Sequence, residues 1–278
     1  MNSRHDMHTH SLASDGVYEP AELVRHAAQA GITELALSDH DTTAGIVEAD
    51  ATACQTGIRL IPAVEVSTSW QSKAIHIVGL NIDIDSPVLQ AGLRELQNIR
   101  DARAREMGAR LTKHGFPDSY SAAMALAGAG MITRTHFARH LCNIGVAGSI
   151  SEVFERYLRQ GKPGYVSTQW AEIGDAIAWI KAAGGVATLA HPHRYKLTAS
   201  WLRRLLTDFK QAGGQAMEIV SGNTPPQDIQ SAATLARKFE LLASTGSDFH
   251  APEHTWVKLG RLPALPADLV PVWSCWRA

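Results

Sequence analysis

Glu34-Leu35-Ala36-Leu37-Ser38-Asp39-His40 is the stretch that decides the fold, because a short apolar run there closes on a carboxylate and an imidazole. An apolar run of this length reads as a buried strand rather than a helix. Ionisable groups at its end are costly to bury unless they are paired or coordinated. Working outward, the same combination recurs. Strands are placed at Asp6 to His8, Glu34 to Ser38, Leu60 to Val66, Ile75 to Leu80, Val186 to Ala190, Ala216 to Val220 and Ala243 to Gly246, seven in all.

Amphipathic helical stretches fall between them. Pro20 to Ala30, Thr43 to Thr56 and Trp201 to Ala212 are each followed by a glycine, Gly31, Gly57 and Gly213, which takes the left-handed cap at least cost. Pro225-Pro226 opens a further helix running to Lys238, where a first-turn proline forfeits no hydrogen bond. Such alternation is expected of a parallel sheet wrapped by helices, and 278 residues suit one α/β barrel carrying an insertion. The segment 86–170 breaks the rhythm. Leu89, Leu93, Leu96, Ile99, Met107 and Leu111 recur at nearly helical spacing, and shorter helical stretches follow through Ala138 to Leu141 and Glu152 to Leu158. The chain is therefore divided into a barrel of residues 1–85 and 171–278, and an all-helical insert of residues 86–170 that serves as a substrate lid.

Hydrophobic residues make up 45% of the chain and charged residues 19%, ordinary for a globular core. No apolar leader or membrane-spanning window is evident, and Cys54, Cys142 and Cys275 form no Cys-x-x-Cys pair, so a cytoplasmic protein with reduced thiols is expected. A net charge of -1 does not fit a coat for duplex DNA, and neither a membrane nor an obligate protein partner is implied. The charge is uneven: Arg94 to Lys162 holds 11 Lys and Arg against 6 Asp and Glu. That basic segment beside an acidic remainder suits a small polyanionic substrate.

Metal-ligand residue types gather where strands end. His8 and His10 follow the first strand with Asp15 in the next turn; Asp39 and His40 end the second; Glu65 ends the third; His76 lies in the fourth; His191 ends the fifth; Asp248 and His250 end the seventh. In an α/β barrel those ends converge on one face. Imidazole with carboxylate suits zinc, manganese or iron, and the absence of cysteine argues against a structural zinc site. His5, His26, His114 and His254 fall out of register and read as surface or cap residues.

Asp6-Met7-His8-Thr9-His10-Ser11, Ser14-Asp15-Gly16, Ser38-Asp39-His40-Asp41, Val64-Glu65-Val66-Ser67, His76-Ile77-Val78-Gly79, Ala190-His191-Pro192 and Gly246-Ser247-Asp248-Phe249-His250 together resemble the polymerase and histidinol phosphatase (PHP) family of the amidohydrolase superfamily. The resemblance implies an α/β fold, a distorted seven-stranded (β/α)7 TIM-like barrel, binding up to three divalent metals, with manganese foremost and zinc, iron or magnesium as alternatives. It implies that His8, His10, Glu65 and Asp248 hold one metal, that Glu65 shares a second with His76 and His191, and that Asp15, His40 and His250 hold a third. Asp6 would then orient a ligand histidine from behind.

Within that family, Met131-Ile132-Thr133-Arg134-Thr135-His136-Phe137-Ala138-Arg139-His140-Leu141 and Gly161-Lys162-Pro163-Gly164-Tyr165-Val166 resemble the subgroup of 3′,5′-nucleotide bisphosphate phosphatases and 5′→3′ exoribonucleases. The implied reaction is phosphoester hydrolysis by a metal-bound hydroxide, on a small nucleotide or a short oligoribonucleotide. A second phosphate needs a cationic clamp, for which Arg134, Lys162 and Arg194 are candidates, with Arg100 and Arg103 behind them. His136 and His193 are candidates for phosphate contact, for the general acid or for simple packing, and Trp170 or Phe137 for stacking on a base or for the core. Alternatives are a small-metabolite phosphatase of the histidinol-phosphatase type and a non-catalytic, metal-stabilised module.

Overall fold

The structure is a computed structural model describing residues 4–253 and 257–276; His254 lies outside the described residues. In chain order it runs β1 (His5–Thr9), α1 (Pro20–Gln29), β2 (Glu34–Leu37), α2 (Ile46–Thr56), β3 (Arg59–Trp70) and β4 (Lys73–Leu80). Then come α3 (Pro87–Lys113), α4 (Ser119–Ala127), α5 (Arg134–Asn143) and α6 (Ile150–Val153), which continues as a π-helical turn over Phe154–Leu158. The chain closes with β5 (Ala171–Glu172), α7 (Ile173–Ala182), β6 (Val186–Leu189), α8 (Ala199–Gln211), β7 (Ala216–Ser221), α9 (Pro226–Lys238) and β8 (Leu242–Gly246).

Seven strands pair in the order β1-β2-β3-β4-β6-β7-β8. The ring nearly closes, because the His10 amide donates to the Phe249 carbonyl at 3.0 Å and the Asp248 amide to the His8 carbonyl at 2.8 Å. All seven strands expected from the sequence are present, and Gly31, Gly57 and Gly213 all have positive φ after their helices.

The expectation of a wholly parallel sheet is corrected at β4, which runs antiparallel to both β3 and β6. The reason is local. β3 extends to Trp70, and only Gln71 and Ser72 separate it from β4, with φ of 49° and 62°. Two consecutive left-handed residues make a tight hairpin turn, whereas a parallel connection needs a dozen residues or more. His76 therefore sits near the start of β4, yet opposite Ser67 at the same rim as the C-terminal ends of the parallel strands. The short β5 pairs with the extension of β3 outside the ring. Helices α4 and α7 were not anticipated: both are rich in alanine, which blurs the apolar stripe that marks an amphipathic helix.

One buried cluster, including Met7, Ala36, Ile61, Val78, Val186 and Ala216, draws on β1, β2, β3, β4, β6 and β7 and so lies inside the ring. Helix α3 joins two cores. Its Leu89, Leu93 and Leu96 pack with the barrel's outer layer, and its Ala104, Met107 and Leu111 pack with α4, α5 and the π-helical turn. That continuity anchors the helical segment on the barrel and carries it over the ligand-bearing rim. No helix among the described residues is long and apolar enough to cross a membrane.

Candidate metal centre

The nine positions singled out as ligands converge. Eight fall into three overlapping groups: His8, His10, Glu65 and Asp248; His40, Glu65 and His76; and His10, Asp15, His40 and His250. The ninth, His191, places Nε2 3.0 Å from Glu65 Oε1. Glu65, buried in β3, is the hub. Its Oε1 also lies 2.8 Å from His76 Nδ1, while Oε2 lies 2.8 Å from His40 Nδ1, 3.3 Å from His10 Nε2 and 3.4 Å from His8 Nε2. His40 thus stands with Glu65 as well as with Asp15.

The donor set fits a divalent cation. His8 Nε2 and His10 Nε2 are 3.1 Å apart, and they lie 3.5 and 3.1 Å from Asp248 Oδ1. With metal–ligand bonds of about 2.0–2.1 Å, the edge of a coordination tetrahedron is about 3.3 Å, the spacing seen among these atoms. Two imidazole nitrogens aimed at each other and at the same carboxylate oxygens are the arrangement a shared cation explains. Burial opposes ionisation of the carboxylates, but the neighbouring charges win. His76, His40 and His8 hold Glu65 well below the usual carboxylate range, and Arg194, His250 and His8 do the same for Asp248.

The supporting layer is equally specific. Glu218, from β7, accepts His8 Nδ1–H at 2.6 Å and the His191 amide at 2.7 Å. It thereby fixes which nitrogen of His8 faces the centre and steadies His191, whose φ of 28° is rarely adopted by a residue with a Cβ. Asp248 is also left-handed, at φ 55°, and pairs with Arg194. Asp6 reaches the ligand histidine His8 through its backbone, with Oδ1 3.5 Å from the His8 amide nitrogen. Its Oδ1 accepts the Ser247 amide at 2.7 Å, tying β1 to β8, and the imidazole-orienting carboxylate is Glu218. Asp39 binds Ser11 and Ser14 and shapes the loop that presents Asp15. Asp15 is held from the helical segment by Thr133 and Thr135 at 3.2 and 3.0 Å, while its carbonyl accepts from Arg139. Gly246 faces His8 so closely that a Cβ would lie 2.2 Å from His8 Cβ, so no larger residue fits there.

Replacing Glu218 with Gln is expected to lower hydrolysis about 10- to 100-fold with the fold intact, the range for losing a carboxylate behind a ligand histidine. Steady-state kinetics beside circular dichroism check this, and unchanged kinetics would remove Glu218 from the centre.

A cavity of about 340 Å³ opens over the ligands, and Arg100, Arg103, Arg134, Arg194, Tyr165 and Trp170 line its other walls. Arg100 is only partly free for substrate, because its Nε bonds Asp41 Oδ2 at 2.6 Å and its Nη2 bonds Ser67 Oγ at 2.7 Å. Arg103 differs: its Nε is buried without a partner, and burial with neighbouring Arg134 and Arg100 pushes the guanidinium down to about 9. Both Arg100 and Arg103 lie over Trp170, at 5.2 and 5.3 Å. Lys162 is exposed and lies outside the lining of this cavity. His136 is buried behind the wall, where its Nδ1 accepts the Thr133 amide at 3.0 Å as the last residue of a capping box that starts at Thr133. Phe137 is buried in the helical core rather than offered to a base. His193 faces an adjoining cavity that shares Arg194, Asp248 and His250 with the first.

A ring of strands whose ends bring imidazoles and carboxylates into one cluster defines a barrel with a donor set compatible with metal binding. The chain belongs to the PHP domain family, whose pattern matches residues 6–185. It is 46% identical over 274 residues to a 5′-3′ exoribonuclease of Haemophilus influenzae, covering 99% of each chain. It is 45% identical over 269 residues to a 3′,5′-nucleoside bisphosphate phosphatase of Chromobacterium violaceum, covering 96% of this chain and 94% of that one. A solved structure of an amidohydrolase from the latter organism, with bound sulfate and no metal, superposes with a TM-score of 0.93 at 45% identity, covering 98% of this chain and 95% of that one.

Proposed function

We propose that this protein is a metal-dependent phosphoesterase that hydrolyses 3′,5′-nucleotide bisphosphates and trims short RNA from its 5′ end. The observation that carries the reading is one cavity holding the three ligand groups on its floor and, on its wall, the crowded guanidiniums of Arg103 and Arg134 with no carboxylate bonded to Arg103 Nε. A phosphate at the floor and a second phosphate at the wall satisfy both. The relatives named an exoribonuclease and a bisphosphate phosphatase support the same substrate class.

We assign three divalent ions, manganese foremost, to His8, His10, Glu65 and Asp248; to Glu65, His76 and His191; and to Asp15, His40 and His250. Such ions supply Lewis acidity, making water a nucleophile near neutral pH and offsetting charge on phosphoryl oxygens. The chain's own residues do the rest. Glu218 holds the His8 ring, Arg194 steadies Asp248, and Arg103 and Arg134 grip the distal phosphate, fixing the scissile phosphate over the floor. His193, beside Asp248 and His250, is the remaining candidate for proton delivery. Residues 86–170 act as the substrate lid, since they contribute Arg100, Arg103, Thr133, Arg134, Phe154 and Trp170 to the cavity.

Purified protein with manganese should release phosphate from adenosine 3′,5′-bisphosphate faster than from histidinol phosphate in a side-by-side assay. No turnover with any divalent ion would refute the reading. Changing Arg103 to Ala should raise KM for the bisphosphate about 10- to 100-fold, the cost of one charge-assisted contact of about 1.5–3 kcal/mol, and should barely alter KM for a 3′-monophosphate. Equal effects on the two substrates would take Arg103 out of the clamp.

A further inference from the structure

Two cavities meet at the ligand-bearing rim. The one described above is cationic, with Arg100, Arg103 and Arg134 on its own wall. The second, of about 530 Å³, is lined by Ile150, Phe154, His193, Ser221, Asn223 and Val257, and its one arginine, Arg194, is shared with the first. Both volumes are of the size that holds small organic ligands. Thr135, Phe154, Arg194, Asp248 and His250 belong to both, so the two spaces abut along the ligand edge rather than across a wall. The far side of the second cavity is set by the loop after β7. There Gly222, at φ 57°, leaves so little room that a Cβ would stand 3.2 Å from the Ser247 carbonyl and 3.4 Å from Arg194 Nη2. Asn223, the next residue, is exposed and lines the cavity.

We propose that this second cavity is the subsite for the nucleotide on the 3′ side of the scissile phosphate, so that a 5′-phosphorylated oligoribonucleotide occupies both cavities at once. The inference rests on the function proposed above and orients the strand within it. A terminal phosphomonoester carries a charge of about -1.5 to -2 at neutral pH and belongs among the unshared arginines. A phosphodiester-linked nucleoside carries less charge and needs what the second cavity offers: an amide, a hydroxyl, an imidazole and the apolar faces of Ile150, Phe154 and Val257. Strand polarity follows. The 5′ nucleotide sits in the arginine cavity and its 3′-phosphate lies over the ligands.

In a 3′,5′-bisphosphate that phosphate has no further ester, and the second cavity plays no part. In RNA the same phosphate carries the next nucleoside through its 5′-oxygen. Water adds to phosphorus, the bond from phosphorus to the 3′-oxygen breaks, and the 3′-oxygen takes a proton. A 5′-mononucleotide is released from the arginine cavity, and the shortened strand keeps the phosphate as its new 5′ end. The product is chemically a substrate again, once it shifts by one nucleotide.

The test compares a 5′-phosphorylated diribonucleotide with the matching 3′,5′-bisphosphate on wild-type protein and on Asn223→Trp, an exposed loop position where an indole fills the second cavity. The variant should lose at least tenfold in kcat/KM on the dinucleotide and stay within twofold on the bisphosphate. Asn223→Ala should show a smaller loss on the dinucleotide alone. Equal losses on both substrates, or an undiminished dinucleotide rate in Asn223→Trp, would overturn the subsite. So would a wild-type protein that cleaves the bisphosphate but not the dinucleotide, with the parent reading left standing. Wild-type protein inert toward both would overturn the parent reading and the subsite with it.

Discussion

Glu65→Gln should abolish turnover, lowering kcat/KM by at least about 1000-fold, or ~4 kcal/mol of lost transition-state stabilisation, and should reduce bound metal in the same protein. Five imidazoles surround this one carboxylate: His76 and His191 at Oε1, and His8, His10 and His40 at Oε2. Glutamine preserves the shape but brings no charge, and the amide nitrogen that replaces one carboxylate oxygen has no free lone pair to offer a cation. Every group of ligands that shares Glu65 is weakened by one substitution. Phosphate release, metal analysis and thermal unfolding of the metal-stripped proteins separate loss of the site from loss of the fold. If metal-stripped variant and wild type unfold alike while activity and metal content collapse, Glu65 is the hub of the centre. Turnover retained within tenfold would show that the centre tolerates an uncharged hub, which the geometry does not allow.

Much of this centre was legible in the sequence because most of its candidate ligands lie at the end of a short strand-like run or in the turn after it, and an apolar run can mark a strand end. The pattern fixed position along the chain but not strand direction. Ile75 to Leu80 looks the same whether its strand runs parallel or antiparallel, and only the tight Gln71-Ser72 turn reverses it. A turn without glycine, asparagine or proline carries little local signal, since a left-handed conformation is rare for glutamine and serine. His76 was therefore found by residue type, and its placement at the rim is explained by the reversal.

What sequence reasoning missed lies behind the ligands. Glu218 sits within Ala216-Met217-Glu218-Ile219-Val220, an apolar run read as a strand interior. A carboxylate inside such a run was itself the available signal, because it is costly to bury unless something pairs with it. Asp6 meets the backbone of His8, whereas Glu218, 210 positions away, meets its ring, and only the first of these is near in sequence. The insert's role in holding Asp15 was equally hidden. Thr133 caps α5, yet its hydroxyl and that of Thr135 both reach Asp15, over a hundred positions earlier in the chain. His136 drew notice as an imidazole in a basic segment, whereas it occupies the capping-box position usually filled by Glu or Gln.

Arg100 shows the same limit, and its replacement should have the second large effect, on stability. Arg100 and Asp41 are buried, 59 positions apart, and paired at 2.6 Å, while Asp41 Oδ1 accepts the Ser67 amide at 2.7 Å and Arg100 Nη2 reaches Ser67 Oγ. The trio fastens α3 to the start of the β3 extension and to the backbone beside His40. Arg100→Leu leaves the Asp41 carboxylate buried without its cation, which costs about 3–5 kcal/mol and should lower Tm by about 10 °C. Arg100→Lys should not restore it, because one ammonium cannot reproduce the two-armed contact with Asp41 and Ser67. Adding Asp41→Asn to Arg100→Leu should recover about 1–2 kcal/mol, since the penalty comes from the stranded charge and not from the missing side chain. Denaturant unfolding of wild type, Arg100→Leu, Asp41→Asn and the double variant decides the matter. Strictly additive losses would make Arg100 an ordinary packing residue and return it to the substrate clamp. A positive coupling would separate it from Arg103, whose loss should raise KM and leave Tm near that of the wild type.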